Sequence, residues 1–334
     1  MNTTKISVLI PTRNEEKYIS TCLDSVIAND YPKELTEIFI VDGESTDNTR
    51  MIVEKYTSKF PSIKLLINDQ KTVPFALNLG IKESTGEFII RLDAHSSIPT
   101  NYFSELIKFS EKYKSDNIGT CCITDVKNKN AKTNSIKKVL SHKFGVGNSY
   151  FRIGIIEPRE VDTVPFGCYR KEIFSKVGLF NENLTRNQDI ELNKRIGKAG
   201  GKITLIPNVE SIYYARESYF EIAKNNFSNG LWNILTVYVT KNINSLSLRH
   251  FVPLLFLLSL ILPLIGMIWF PPLSLITAVS LISYIIFLII VSLGINDKTT
   301  NLLFIIKSFI VLHFSYGFGS LVGLTRLDYL FIKL

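Results

Sequence analysis

Ile6-Ser7-Val8-Leu9-Ile10-Pro11-Thr12-Arg13-Asn14-Glu15-Glu16 reads as a short apolar strand that stops in a polar loop, and the same pattern recurs downstream. Apolar, β-branched runs at Glu37 to Val41, Ile63 to Ile67 and Phe88 to Leu92 are separated by segments with helical spacing. This β-α-β-α-β-α-β alternation predicts an α/β fold with a largely parallel sheet covered by helices. In such sheets ligands gather outside the carboxyl ends of the strands. Three polar loops are expected there on one rim: Pro11 to Glu16, Asp42-Gly43-Glu44-Ser45-Thr46-Asp47-Asn48-Thr49, and Asp93-Ala94-His95.

Beyond residue 115 the regularity fades. Lys127 to Lys138 is rich in Lys and Asn and reads as a solvated or mobile loop. Order returns near Val161. Gln188 to Ala199 has the spacing of a helix ended by Gly200-Gly201, and Lys202 to Ile206 that of a strand. No internal repeat is present. Glu217 to Asn242 carries Tyr219, Phe220, Phe227, Leu231, Trp232, Leu235 and Tyr238 at near-helical intervals. An amphipathic helix on the core would look the same, but its place directly before an apolar run favours a helix at a membrane surface.

That apolar run divides the chain into two regimes. Of 334 residues 46% are hydrophobic, yet none from Phe251 to Asn296 is Asp, Glu, Lys or Arg. A membrane helix needs about 20 apolar residues, so this stretch predicts a hairpin of spans at about 251–270 and 273–294, turning at Phe270-Pro271-Pro272. A third segment at 302–324 contains Lys307, His313 and three glycines, which leaves its topology open. Arg249 and His250 border the first span, and no signal-peptide pattern precedes Lys5, so the polar domain is expected on the cytoplasmic face of a multi-pass cell-membrane protein. Crossing by all three segments would place Arg326 and Lys333 outside, against the positive-inside tendency.

The net charge of +8 favours anionic partners: a lipid surface, a nucleotide diphosphate or a lipid phosphate. No nucleic-acid partner is expected, because no basic stripe interleaved with aromatics stands out. Cys22, Cys121, Cys122 and Cys168 lack metal-ligand spacing and read as packing residues.

Transfer of a sugar from a nucleotide diphosphate needs a pocket for the base and ribose, a cation for the leaving diphosphate, and a base for the acceptor hydroxyl. Divalent ions on phosphates prefer hard oxygen ligands, with imidazole accepted by manganese more than by magnesium. Asp93 and His95, two apart at a strand end, supply one of each. Taken singly, Asp93 reads equally as a turn residue or helix cap, and His95 as an ordinary surface or core histidine. Asp42 and Asp93 together, both ending strands of one sheet, point to a site.

These residues carry a resemblance. Val8 to Glu16, then Ile40 to Thr49, then Arg91-Leu92-Asp93-Ala94-His95 resemble, in order, the signatures of family 2 glycosyltransferases of the GT-A fold. The likeness covers about residues 5 to 215, and the Asp-Ala-His form with spans behind it resembles the ExoA-like succinoglycan glucosyltransferase subgroup. It implies a GT-A nucleotide-diphospho-sugar transferase domain at 1–215, interfacial amphipathic helices at 216–248 and a transmembrane region at 249–334. It also implies donor contacts from Pro11, Thr12, Arg13 and Glu15, a hydrogen bond that Asp42 accepts from the uracil or its surroundings, and Asp93 facing ribose and metal. His95 stands where the family's D-x-D motif has its second Asp, so the cation is Mn2+ or Mg2+. Asp47 reads as a helix N-cap.

Val164-Pro165-Phe166-Gly167-Cys168-Tyr169-Arg170 resembles the acceptor-side segment, with Gly167 and Arg170 as its site residues. Asn187-Gln188-Asp189-Ile190-Glu191-Leu192 resembles the family's Glu-Asp pair, which makes Asp189 the catalytic base while its supporting Glu is replaced by Gln188. Without the resemblance Asp189 would read as an acid favoured by the helix macrodipole. Arg216 in Tyr213-Tyr214-Ala215-Arg216 resembles an arginine that suits a diphosphate; an ion pair near Glu217 is its alternative. No Gln-x-x-Arg-Trp signature of processive synthases is present, which implies one sugar per encounter. The expected activity is inverting transfer of one sugar from a nucleotide-sugar, UDP being the nucleotide expected, to a polyprenyl-diphosphate-linked saccharide. The alternatives are a polyprenyl-phosphate sugar synthase and a non-catalytic membrane scaffold that retains the fold.

Overall fold

The computed structural model describes residues 4–332, so Lys333 lies outside the described residues. The chain forms two compact units. One takes the residues up to Ile123 together with Gly154–Tyr214, and the other takes Thr124–Ile153 together with the chain from Ala215 onward. Residues 124–153, expected within the first domain, therefore belong with the helical C-terminal part.

The first unit opens β1 (Ile6–Thr12), α1 (Ile19–Ile27), β2 (Thr36–Asp42), α2 (Thr49–Thr57), β3 (Ile63–Ile67), α3 (Val73–Glu83) and β4 (Phe88–Arg91). Ile6, Val8, Leu9 and Ile10 are all 0% exposed, as strands covered on both faces require, and this explains their unbroken apolar run. The covering helices are amphipathic: α1 buries Ile19, Cys22, Leu23 and Val26, one stripe at i, i+3, i+4 and i+7. β1 pairs in parallel with β2 and β4, and β2 in parallel with β3.

Register fixes the rim. Thr12 lies beside Asp42 and Asp42 beside Ile67, so the carboxyl ends of β1, β2 and β3 finish together, while β4 stops three residues sooner, with Arg91 beside Leu9.

The sheet then changes character. It continues through β5 (Ser96–Ser97), α4 (Tyr102–Tyr113), β6 (Asn117–Asp125), and, after the second unit's insertion, β7 (Arg159–Glu160), β8 (Cys168–Arg170) and β9 (Ile203–Tyr214). The strand order is β3-β2-β1-β4-β8-β6-β9-β5, with β7 also on β9, and β8 runs antiparallel to both β4 and β6. Parallel in one half and antiparallel in the other, the sheet is mixed.

In the second unit Lys127 to Lys138 is not a mobile loop. Residues Ala131–Leu140 form α5, started by a capping box in which Asn130 and Thr133 satisfy each other's backbone N–H. Two short helices follow, α6 (Lys143–Val146) and α7 (Tyr150–Ile153). In the first unit α8 (Ile173–Val177) and α9 (Gln188–Lys198) complete the helices, α9 closing before Gly200 at φ +79°. The second unit resumes with α10 (Tyr219–Thr240), α11 (Val252–Gly266), α12 (Ser274–Ile295) and α13 (Leu302–Thr325).

Three stretches are long and apolar enough to cross a membrane: Leu248–Gly266, Pro271–Ile295 and Leu302–Thr325. They expose apolar side chains that water would penalise, among them Leu275 at 66%, Val279 at 63% and Ile290 at 63%. α10 runs side by side with α13 in the same direction. Tyr219 Oη donates to Phe304 O (3.3 Å), Ser320 Oγ to Gly230 O (3.0 Å) and Tyr238 Oη to Leu324 O (3.1 Å), so contact lasts the full helix. Glycine permits this approach: a Cβ on Gly319 would strike Phe227 O, and one on Gly230 would strike Tyr316 O. Small residues at a close backbone approach, with side-chain hydrogen bonds across it, are the packing mode of helices in lipid. α5 joins the same assembly, with Val139 in one core with Leu288, Ile305, Phe309 and Leu312, and Lys138 Nζ on the Ile295 carbonyl at 2.9 Å.

Candidate active site

The rim of β1, β2 and β4 encloses a cavity of about 220 Å³. Its wall includes Pro11, Thr12, Arg13 and Glu15 from the first loop and Arg91, Asp93 and His95 from the fourth strand's end. The sequence motifs thus converge on one space. Asn68, Lys71 and Thr72, which the sequence reading passed over, complete the wall.

The loops are held in conformations that side chains rarely adopt. Asn14 (φ +56°), Glu44 (φ +54°) and Lys71 (φ +63°) all occupy the left-handed region beside this cavity, a strain characteristic of functional rims. Cross-loop hydrogen bonds keep them there. Asn14 N donates to Ser45 Oγ (2.9 Å), Thr46 N donates to Asn14 Oδ1 (2.8 Å), and Glu15 N donates to Thr49 Oγ1 (2.8 Å). Asn48, not Asp47, occupies the cap position of α2; Asp47 instead accepts from Thr49 N (3.0 Å) and Glu16 N (3.2 Å), joining helix start to first loop.

Asp42 is 1% exposed and fully engaged. Its carboxylate accepts from Ser45 N (3.1 Å), Ser45 Oγ (2.5 Å) and Arg50 Nη2 (3.0 Å). In this structure it orders the loop whose Gly43 faces the cavity. Gly43 packs closely there, since a Cβ would lie 3.3 Å from the Lys71 backbone.

Asp93 follows β4 and reaches Arg91 Nη2 at 3.0 Å. Burial pushes the Asp93 carboxyl up, but the Arg91 guanidinium and the His95 ring hold it below the usual carboxylate range. His95 places Nδ1 3.2 Å from Glu15 Oε1 and lies edge-on to Tyr213 and Tyr18. In the tautomer that donates Nδ1–H to Glu15 the ring carries its lone pair on Nε2, the arrangement by which a carboxylate orients a histidine toward a metal.

Among the described residues no cluster of three or more His, Cys, Asp and Glu is placed to hold an ion. The donor set of Asp93 and His95 nevertheless fits a cation shared with a ligand's phosphates, since such ions take only one or two protein ligands and complete their shell with phosphate and water.

Asp189 is the second residue of α9, after Asn187 at φ +61°, and its Oδ2 lies 3.3 Å from Arg91 Nη1. The structure therefore brings together two predicted carboxylates, 96 residues apart in sequence, through an arginine to which the sequence reading gave no role. The signal was present, since Arg91 and Asp93 are two apart at a strand end, where side chains share a face. Gln188, in place of the family's Glu, is 6% exposed.

Of the two predicted acceptor residues in this unit, Gly167 lies beside the site, its carbonyl accepting from Arg91 N at 3.0 Å, whereas Arg170 lies elsewhere. β8 runs antiparallel, so Arg170 stands beside Phe88 at the opposite end of β4 from Arg91. Its guanidinium meets Glu111 (3.0 Å), the Ser115 carbonyl (3.2 Å) and the Phe88 ring. Gly167 is buried, and its missing side chain admits Asn117 Oδ1 and the Tyr169 ring, which a Cβ would meet at 2.5 and 2.8 Å. Arg216 belongs to the second unit and is exposed; its neighbour Glu217 accepts from Asn128 N and Nδ2 at 2.9 and 2.7 Å. All four cysteines are buried, and burial raises the thiols of Cys121 and Cys168 and drives that of Cys22 up to about 12, which disfavours the reactive thiolate at these three.

Known proteins show the same plan. Residues 7–178 match the family model for glycosyl transferase family 2. The chain is 34% identical over 233 residues to the dolichyl N-acetyl-alpha-D-glucosaminyl phosphate 3-beta-D-2,3-diacetamido-2,3-dideoxy-beta-D-glucuronosyltransferase of Methanococcus voltae, covering 67% of this chain and 71% of that one. It is 26% identical over 232 residues to the succinoglycan biosynthesis protein ExoA of Rhizobium meliloti, covering 69% of each. The mannosyltransferase PcManGT from Pyrobaculum calidifontis, solved with GDP-Man and Mn2+, superposes with a TM-score of 0.62 at 15% identity, over 97% of this chain and 88% of that one. This last likeness is one of fold.

Proposed function

Because the chain belongs to glycosyl transferase family 2, we propose that this glycosyltransferase moves one sugar, with inversion, from a nucleotide-sugar to a lipid-linked saccharide at the cytoplasmic face of the membrane. The observation that carries the reading is the rim on which the first loop, Asp93 and His95 meet, with Asp189 joined to it through Arg91. Pro11, Thr12, Arg13 and Glu15 frame the donor, UDP being the expected nucleotide. Arg13 is exposed at the cavity mouth and is suited to a diphosphate.

Asp93 and His95 would hold a divalent cation, which when bound neutralises charge on the leaving diphosphate. Asp189 accepts the acceptor's hydroxyl proton as that oxygen forms its bond to the anomeric carbon and the bond from that carbon to the diphosphate breaks. The acceptor class is supported by the name of the Methanococcus voltae relative, which describes a sugar on dolichyl phosphate. Three apolar helices long enough to cross a bilayer suit such a substrate.

Purified full-length protein in lipid, screened for nucleotide release from UDP- and GDP-sugars with Mn2+ or Mg2+ and a lipid extract, tests the activity. Asp189→Asn should lower turnover by about 10²- to 10⁴-fold, the usual contribution of a general base. Unimpaired turnover would remove Asp189 from that role. Polyprenyl phosphate and a polyprenyl-diphosphate sugar, offered separately, distinguish direct loading of the lipid from extension of a saccharide.

A further inference from the structure

Arg91 is the buried charge that the reaction above leaves without a task. Its side chain is 12% exposed and its two terminal nitrogens face different carboxylates, Asp93 Oδ1 at 3.0 Å and Asp189 Oδ2 at 3.3 Å. Its Nε is buried without a hydrogen-bond partner among the described residues. Forming the two ion pairs has therefore been favoured over satisfying every donor of the group, although a buried unmet N–H is costly.

We propose that Arg91 is a positioning residue that ties the donor end of the site to the acceptor end, setting the base Asp189 against the sugar that Asp93 helps to hold. The proposal rests on the reading of Asp93 and Asp189 given above. Asp93 leaves β4 and Asp189 opens α9, so no local backbone geometry relates them. A planar guanidinium with two terminal nitrogens fixes both carboxylates in one plane, which the single rotating ammonium of lysine cannot do.

Asp189 is otherwise held only by Ile190 N, which donates to its Oδ1 at 2.9 Å, so Arg91 is its one long-range restraint among the hydrogen bonds described. The guanidinium also separates two like charges that would repel across the cleft, and a diphosphate brings more negative charge to the same place. Donor arrival at Asp93 is thereby felt at Asp189.

The test is a double-mutant cycle on the full-length protein in nanodiscs, with kcat and donor KM from nucleotide release and UDP–Mn2+ binding by equilibrium dialysis. Arg91→Gln is expected to lower kcat about 100-fold, the scale of an ångström-sized misplacement, while UDP–Mn2+ binding stays within about threefold of the parent. In an Asp189→Asn background the same Arg91→Gln change is expected to alter the residual rate by less than about threefold, since its action runs through the lost base. Arg91→Lys should keep UDP–Mn2+ binding yet recover under about a tenth of kcat, and it carries the test if Arg91→Gln does not fold.

Penalties that multiply in the double variant, a parental kcat in Arg91→Gln, or parallel loss of UDP–Mn2+ binding and turnover in both Arg91 variants would overturn the proposal. A parent protein that releases nucleotide from no donor sinks the functional reading and this proposal together; turnover with multiplying penalties sinks this proposal alone.

Discussion

Replacing Asp42 by asparagine should raise the donor KM far more than it lowers kcat, because Asp42 holds a wall of the donor cavity rather than a reacting atom. The carboxylate is 1% exposed and accepts hydrogen bonds from Ser45 N, Ser45 Oγ and Arg50 Nη2. An amide can still accept from Arg50 and donate to Ser45 Oγ, so the loss is mainly of charge. Hydrogen bonds to a charged group are worth about 1.5–3 kcal/mol and neutral ones about 0.5–1.5, so two weakened bonds cost about 2 kcal/mol. Concentrated in the loop that carries Gly43 to the cavity, that loss corresponds to a KM increase of up to about 30-fold. Arg50→Ala is the internal control. The Arg50 side chain is 40% exposed, and a pair so open to solvent contributes at most about 1 kcal/mol, or about fivefold in KM. Steady-state nucleotide release for both variants, with thermal melting alongside, measures the difference. Equal damage from Arg50→Ala, or a fall in kcat at constant KM, would refute the reasoning; altered discrimination between uridine and other bases would instead show Asp42 reading the nucleotide directly.

Other expectations follow from the same contacts. Chelation should abolish nucleotide release and Mn2+ restore it, while His95→Asp should shift the preference toward Mg2+ because carboxylate replaces imidazole; an unchanged ratio of the two rates would argue against His95 as a ligand. Trp232 and Trp269 are the protein's two tryptophans, so Trp269→Phe leaves a single reporter on α10. Trp232 lies level with the last turn of α13, 5.8 Å from the Tyr329 ring, so its fluorescence should be quenched more by lipids brominated near the headgroup end of the acyl chain than by lipids brominated near its tip, and acrylamide quenching as strong as in free peptide would contradict that placement. Glu37 is buried and accepts from Ser7 Oγ (2.6 Å) and Thr85 N (2.5 Å); burial raises its carboxyl, but these bonds and Lys5 hold it below the ordinary range. A lowered folded-state value means the stabilisation is complete at neutral pH and is lost as pH falls below about 4. Glu37→Gln should therefore melt lower at pH 7 and lose less on acidification than the parent, and parallel pH profiles for the two would exclude Glu37 as the cause.

The parallel half of the sheet was legible because β1, β2 and β4 are buried on both faces, which writes an uninterrupted apolar run into the sequence. The rim followed, since strand ends are where the polar motifs stop. The antiparallel half was harder. β8 is only Cys168–Arg170 and takes its place from β4 and β6, distant neighbours that a local pattern does not encode. Hence Arg170, three residues from Gly167, was expected at the site, although an antiparallel strand carries it toward the other end of β4. The Lys- and Asn-rich segment misled for a related reason: composition reports solvation, whereas α5 is set by the Asn130–Thr133 capping box and by partners about 165 residues away, such as Asn301 beside Ser135. Arg91 was quoted within a motif yet left without a role, because its second partner, Asp189, becomes a neighbour only after folding.

The joint packing of α5 and α10 on α13 bears on how the protein can be taken apart. Cutting the chain after His250, where the charged part ends, suggests itself as a route to a water-soluble enzyme. That cut would remove Ile305, Phe309 and Leu312 from Val139, and Gly319 and Gly323 from the Phe227 to Ile234 face of α10. Two helices would be left with bare apolar sides, one of them inserted between β6 and β7 of the catalytic sheet. The apolar C-terminus is thus more than a tether, since it covers the apolar sides of α5 and α10 within the second unit, and shortened forms should aggregate unless a surrogate for α13 is supplied.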